Sequence, residues 1–398
     1  VAASVIGLGL FASVTPSPLY HSYSVLWHFS PLTLTLIYAT YALGVLASLL
    51  VAGGVSDDVG RRPVLLASLA ILMASSVLYV FADSAVWLFV ARGVQGLATG
   101  AALSAASAAL LDLHPRRDPA GVGLTNATAS VTGLGLGILV SSSLVQLGSA
   151  PRILPYVVLL VLFSLAAAGA FLMREPVVER RPFRLTIERP SVPVAVRRPF
   201  LLAALAVLSS WSIGALFFSL GPQLSAELFE TNNVVADGSG IVLLTGAAAV
   251  AQVLTVRTPA WIAACAGSIA LAAGMGLIVI AAAAGSGTAY LAGAILGGAG
   301  FGAAFLGGLR ALVTAIPPSH RASVMSAFYI AAYASLSIPA VLAGATVGHV
   351  GIETTFEIFG AVVAAIALLV AVQAWRTRPT GGQTIRTAAP SAAAACRT

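Results

Sequence analysis

Twelve apolar runs separated by short polar turns leave this chain few folds to choose from. They lie at roughly 1–20, 32–54, 63–81, 85–110, 119–147 and 154–172, and again at 199–222, 239–256, 259–284, 288–315, 321–348 and 354–375. Each is long enough to cross a bilayer as a helix. A backbone immersed in lipid must satisfy its own hydrogen bonds, which only helices and closed barrels do. The expectation is an all-α membrane protein with 12 transmembrane helices in two six-helix bundles. The first bundle is expected over 1–173, a cytoplasmic linker over 174–198, the second bundle over 199–375 and a disordered cytoplasmic tail over 376–398. With 59% hydrophobic and 8% charged residues and a mean hydropathy of +0.99, the composition excludes an ordinary water-soluble domain.

Every one of the 20 basic residues is arginine, and their placement sets the expected topology. Short cytoplasmic loops collect positive charge. Arg61 and Arg62, Arg116 and Arg117, seven arginines of the linker, Arg257, Arg321 and four arginines of the tail fall on one face, against Arg152 alone on the other. Both termini are therefore expected on the cytoplasmic side of the cell inner membrane. The net charge of +7 does not gather into a basic face with interleaved polar residues, so no nucleic-acid partner is expected. The lipid bilayer is the expected surrounding partner and the protein is expected to be a monomer.

Cys265 lies in an apolar run and Cys396 in the tail, so no disulfide is expected, and no spacing suits a metal. No cofactor is implied. The chain opens on Val1 rather than methionine, and its first apolar run is expected to span the membrane rather than act as a cleaved signal. The Asn126-Ala127-Thr128 sequon falls inside an expected span and carries no glycosylation reading.

The two halves repeat. Gly44, Gly96, Gly100, Ala101, Ala102, Pro115 and Ala120 recur as Gly246, Gly298, Gly302, Ala303, Ala304, Pro317 and Ala322, always 202 positions later. A constant offset across several spans argues for duplication about an axis along the membrane normal, an arrangement that lets two bundles rock about a site between them.

The turn after the second span reads Gly53, Ser56, Asp57, Gly60, Arg61, Arg62. With the helix count, the linker and the repeat, it resembles the signature loop of the major facilitator superfamily, over residues 1 to about 375. The family usually has a basic residue just after the aspartate, where this chain has Asp58. The resemblance implies that this loop latches the cytoplasmic face when the protein faces outward. Asp57 would then meet the positive N-terminal end of the eleventh span near 319–323, a dipole contribution of roughly 0.3–1 kcal/mol. Within the fourth span, Arg92-Gly93-Val94-Gln95-Gly96 is similar to the arginine–glutamine–glycine signature of family members associated with proton exchange. Protons are the coupling ion this implies.

Burying an arginine costs roughly 2.5–3.5 kcal/mol on insertion scales. Arg92 must therefore face a wet cavity or a partner, with Gln95 and Gly96 on the same helical face, or else snorkel toward Asp83. Arg310 has the same two choices, an inner vestibule or the headgroups. All 13 acidic residues fall in loops or at helix ends, Asp83, Glu227 and Glu357 coming nearest to the interior, so the sequence identifies no coupling carboxylate. His21 and His28 read as interfacial. Gly133-Leu134-Gly135-Leu136-Gly137 lacks a preceding strand, so it reads as small-residue helix packing rather than a nucleotide loop. Drug antiporters of the family carry a Gly-Pro pair there, whereas Ile138 follows Gly137 here.

Cavity-lining candidates, by analogy with the family, are Tyr38, Tyr41, Asn126, Trp211, Gln252, Tyr329 and Tyr333, each of which packing between bundles or an aromatic belt would also explain. So few fixed charges favour a lipophilic or uncharged small-molecule substrate. The expected function is secondary active transport by alternating access, with proton-driven efflux set against proton-coupled uptake of a sugar or similar neutral nutrient. A non-transporting receptor or assembly protein on a transporter scaffold is the third reading. An enzyme is not expected, because no catalytic constellation converges on one membrane depth.

Overall fold

The computed structural model describes residues 1–52, 55–113, 119–177, 190–231, 233–317 and 320–378. Gly53, residues 178–189 of the linker and residues 379–398 of the tail lie outside them. Helices α1 (Ala2–Val14), α2 (Tyr20–Trp27), α3 (Pro31–Ala52), α4 (Val55–Val59), α5 (Arg61–Val80), α6 (Ala85–Asp112), α7 (Pro119–Leu147) and α8 (Leu154–Leu172) build the first half. Helices α9 (Arg197–Ser219), α10 (Gly221–Phe229), α11 (Val234–Asp237), α12 (Ser239–Thr255), α13 (Ala260–Ala284), α14 (Gly287–Ala315), α15 (Arg321–Val350) and α16 (Ile352–Arg376) build the second.

Among the described residues, 11 stretches are long and apolar enough to cross a membrane. The twelfth expected span, 239–256, forms the 17-residue α12. At about 1.5 Å per residue its rise stops just short of the hydrocarbon thickness. In front of it α11 continues the rod, since Gly238 N donates to Val234 O and Val242 N to Gly238 O. The first span is also less regular than a single apolar run suggests. Pro16 and Pro18 have no N–H to give to the carbonyls of Ala12 and Val14, so α1 ends and a short 3-10 turn, Ser17–Leu19, leads into α2.

Helices that are apolar all round can be sorted only by small residues at their crossings. In the first bundle α6 packs on α3, α5 and α1, and α5 packs on α8. In the second α14 packs on α12, α13 and α9, and α13 packs on α16. A Cβ on Gly96 would strike the carbonyl of Tyr41 in α3, and a Cβ on its repeat mate Gly298 would strike the carbonyl of Leu244 in α12. The duplication extends to backbone conformation. Among the described residues, the non-glycine positions with positive φ are His28 at 52° and Glu230 at 49°, one repeat apart and each capping the short helix after the first span of its half. Residues such as Leu43, Val161, Leu165, Ile280 and Leu369 stay exposed and supply the face toward lipid.

The bundles meet along α3 against α15 and along α7 against α12 and α11. One end of the molecule carries Arg61 and the other Asn233. At the Asn233 end hydrogen bonds cross between bundles: Ser17 Oγ donates to Phe218 O at 3.1 Å, and Val234 N donates to Gln146 Oε1 at 2.8 Å.

Candidate functional site

At the Arg61 end the signature loop folds as the short helix α4 followed by Gly60 at φ 116°. Arg61 is its hub. The guanidinium pairs with Asp57 at 2.5 Å and Asp112 at 3.1 Å and donates to Ser56 Oγ at 2.6 Å. Asp57 thus sits in its own bundle in this conformation, exposed and paired with Arg61. Opposite lies Glu175, just past α8. Its carboxylate accepts from the amides of Arg61 at 3.0 Å and Arg62 at 2.9 Å, capping the otherwise unsatisfied start of α5. Arg62 also lies over the Phe171 ring at 4.7 Å. A Cβ at position 60 would come within 2.8 Å of Glu175 Oε2. Gly60→Ala is expected to cost about 2–3 kcal/mol, from a strained φ plus the displaced cap. Thermal unfolding in detergent checks it, Gly123→Ala serving as the uncrowded control.

Arg92 lies at the centre of the first bundle and is completely buried. It neither snorkels nor meets a carboxylate among the described residues. Its guanidinium closes the break in the first span: Nη1 donates to Ser13 O at 2.7 Å and to Gln95 Oε1 at 2.8 Å, while Nε donates to Tyr20 Oη at 2.8 Å and Nη2 to the same oxygen. Gln95 Nε2 donates at 3.0 Å to Ala12 O, the carbonyl that Pro16 leaves without a helical partner. The arginine–glutamine pair on one face of α6 therefore reads the backbone of α1 where prolines expose it. Tyr79 donates to Gln95 Oε1 at 3.4 Å and stacks on Tyr156, whose hydroxyl lies 3.3 Å from that of Tyr23. Tyr20, Tyr79 and Tyr156 escape sequence reading because an aromatic within an apolar run looks like core. The available signal was Pro16 and Pro18, which require donors from elsewhere.

Tyr41 connects this network to the other bundle. Its ring lies 5.3 Å from the Arg92 guanidinium and packs in one cluster with Tyr333 of α15. Tyr333 in turn meets Trp211 of α9 edge-on at 5.2 Å, and Trp211 lies 5.9 Å from Phe305 of α14. Four of the expected cavity residues thus lie at the seam: Tyr38, Tyr41, Trp211 and Tyr333, with Tyr38 buried against the second bundle. Tyr329 is 37% exposed, beside Phe328. Asn126 is half-buried, and Gln252 is buried with no hydrogen-bond partner for its Oε1 among the described residues. Arg310 is half-buried near the C-terminal end of α14. It donates to the carbonyls of Thr255 at 3.3 Å and Thr258 at 2.9 Å, tying off the end of α12. The glycine run of α7 is a packing surface, Gly133 lying on Gly7 of α1 and Gly137 on Phe11.

The Major Facilitator Superfamily model matches residues 1–290. Over 203 residues the chain is 34% identical to the tetracycline resistance protein, class C, of Escherichia coli, covering 48% of this chain and 47% of that protein, about half its length. The solved proton:xylose symporter XylE, bound to 6-bromo-6-deoxy-D-glucose, matches with TM-score 0.71 at 14% identity over 95% of this chain and 94% of that one. The human organic anion transporter MFSD10 matches with TM-score 0.63 at 17% identity over 94% and 97%. Likeness at such identities is one of fold, and it agrees with the two bundles and their seam. The chain belongs to the major facilitator superfamily and is a multi-pass membrane protein.

Proposed function

We propose that the protein expels a lipophilic or uncharged small organic molecule across the cytoplasmic membrane in exchange for protons, by alternating access between its two bundles. The observation that carries this reading is the asymmetry of the seam. Among the described residues, hydrogen bonds join the bundles at the Asn233 end, whereas the ion pairs of the Arg61 end stay within the first bundle. With the Arg61 end cytoplasmic, as the arginine distribution favours, this is a conformation closed outward and free to open inward. Opening the other way requires the Asn233 seam to part and the Arg61 loop to engage the second bundle.

The substrate class follows from the seam's chemistry. Tyr38, Tyr41, Trp211 and Tyr333 offer ring faces and hydroxyls without fixed charge, a surface that suits flat apolar molecules. A match to a protein named for tetracycline resistance supports export of a compound of that kind. In proteoliposomes with an imposed pH gradient, tetracycline is expected to move against the proton flow, and a protonophore should abolish its movement. Uphill movement of a neutral sugar with the protons would mean uptake instead. Binding without flux of either compound would favour the receptor reading.

A further inference from the structure

The element that holds the second bundle to the first at the Asn233 end carries a carboxyl group. α11 docks on α7 through Val234 N and Gln146 Oε1, and a Cβ on Gly238 would come within 2.7 Å of Ser142 Oγ, so little room is left between them. Asp237 stands between those two contacts. Its Oδ1 is shielded from solvent and accepts no hydrogen bond among the described residues, and the same holds for the hydroxyls of Ser142 and Ser239 on either side of the joint. Asp237 as a whole is half-buried, and an oxygen without a donor is better tolerated on a neutral acid than on an anion.

We propose that Asp237 is the pH-sensing carboxyl of the gate at the Asn233 end: protonated, it lets α11 remain docked on α7, and once its proton passes to water at that end, the carboxylate draws water in and releases the joint. The inference adds a pH-sensitive outer gate to the proposed exporter and rests on that reading for its link to transport. The surroundings supply no counter-charge. α7 and α12 carry no ionisable residue, and α10 contributes Glu227, itself pushed upward by burial first, with the neighbouring Glu353 adding to the shift. From α14 comes the neutral Tyr290, which feels Asp237 electrostatically. Burial raises the Asp237 carboxyl from 3.8 to about 6. The sign follows from linkage. A group whose value is raised in the docked state supports docking fully below its ordinary value, and that support disappears as the pH rises through about 6.

Spin labels at Leu32 and Val350, exposed positions of α3 and α15 at this end, report the opening once Cys265 and Cys396 are replaced by alanine. The open-to-closed ratio of the otherwise unchanged chain is expected to rise by up to about tenfold per pH unit between the ordinary carboxyl value of 3.8 and about 6, the limit for one proton, and to level off above that. Asp237→Asn should stay closed from pH 5 to 8, and Asp237→Glu should titrate again. An Asp237→Asn protein that opens with the same pH profile, or an unsubstituted protein whose distances ignore pH, overturns the proposal. A pH-dependent gate abolished by Asp237→Asn, in a protein whose transport ignores the pH gradient, upholds the gate and sinks the export reading alone.

Discussion

Replacing Arg92 with alanine should lower pH-driven transport by more than tenfold and destabilise the protein by about 3 kcal/mol. The guanidinium satisfies the Ser13 carbonyl and the Tyr20 hydroxyl and orients Gln95, which holds the Ala12 carbonyl. Losing it leaves at least two buried polar groups unpaired, each worth about 1–3 kcal/mol, where no water replaces the missing donor. Transport suffers because the same side chain fixes the break between α1 and α2 and lies against Tyr41, which packs with Tyr333 at the seam. Arg92→Lys discriminates charge from geometry. A lysine keeps the cation but has no planar fork to reach Ser13, Gln95 and Tyr20 together, so it should resemble alanine in transport while recovering part of the melting temperature. Normal transport by the lysine variant would mean that only the charge matters.

The second large effect is expected at the α3–α6 crossing. Gly96→Val would drive a side chain into the Tyr41 carbonyl, and the helices must separate to admit it. Overpacking of this kind costs typically about 1–3 kcal/mol and occasionally more. Here the upper end is expected, because backbone rather than a flexible side chain stands in the way and Arg92, Gln95 and Tyr41 shift together. The repeat supplies a control. Gly44, facing α6, would place a Cβ 3.0 Å from the Gly93 carbonyl, whereas its mate Gly246 has nothing within 4 Å. Gly246→Ala should therefore stabilise its helix by about 0.4–1 kcal/mol and Gly44→Ala should destabilise. Melting curves of the two purified variants decide the matter, and equal shifts would contradict the packing described.

The spans were legible because membrane helices announce themselves by length and hydropathy, and the duplication because small residues at helix crossings tolerate little change of position. The break in the first span was not legible from hydropathy, since Thr15, Pro16, Ser17 and Pro18 interrupt the apolar run too briefly to divide it. Arg92 and Gln95 stood out as polar residues in an apolar helix, but their partners are backbone carbonyls, which no sequence pattern displays. Glu175 looked like one charge among many in the linker, yet it caps α5 from more than a hundred residues away. Asp237 was hidden among acids at helix ends. What distinguishes it is the helix it faces across the seam, and that is a property of tertiary structure.

The central claim is that the two bundles rock about the Tyr41–Tyr333 seam, so that one end opens as the other closes. Distances measured by paired spin labels at both ends test it most directly, using Leu32 with Val350 at the Asn233 end and Leu113 with Leu254 at the Arg61 end, all exposed positions. Varying pH and adding tetracycline should lengthen one distance whenever the other shortens. Two distances that stay fixed, or that lengthen together, would contradict the account.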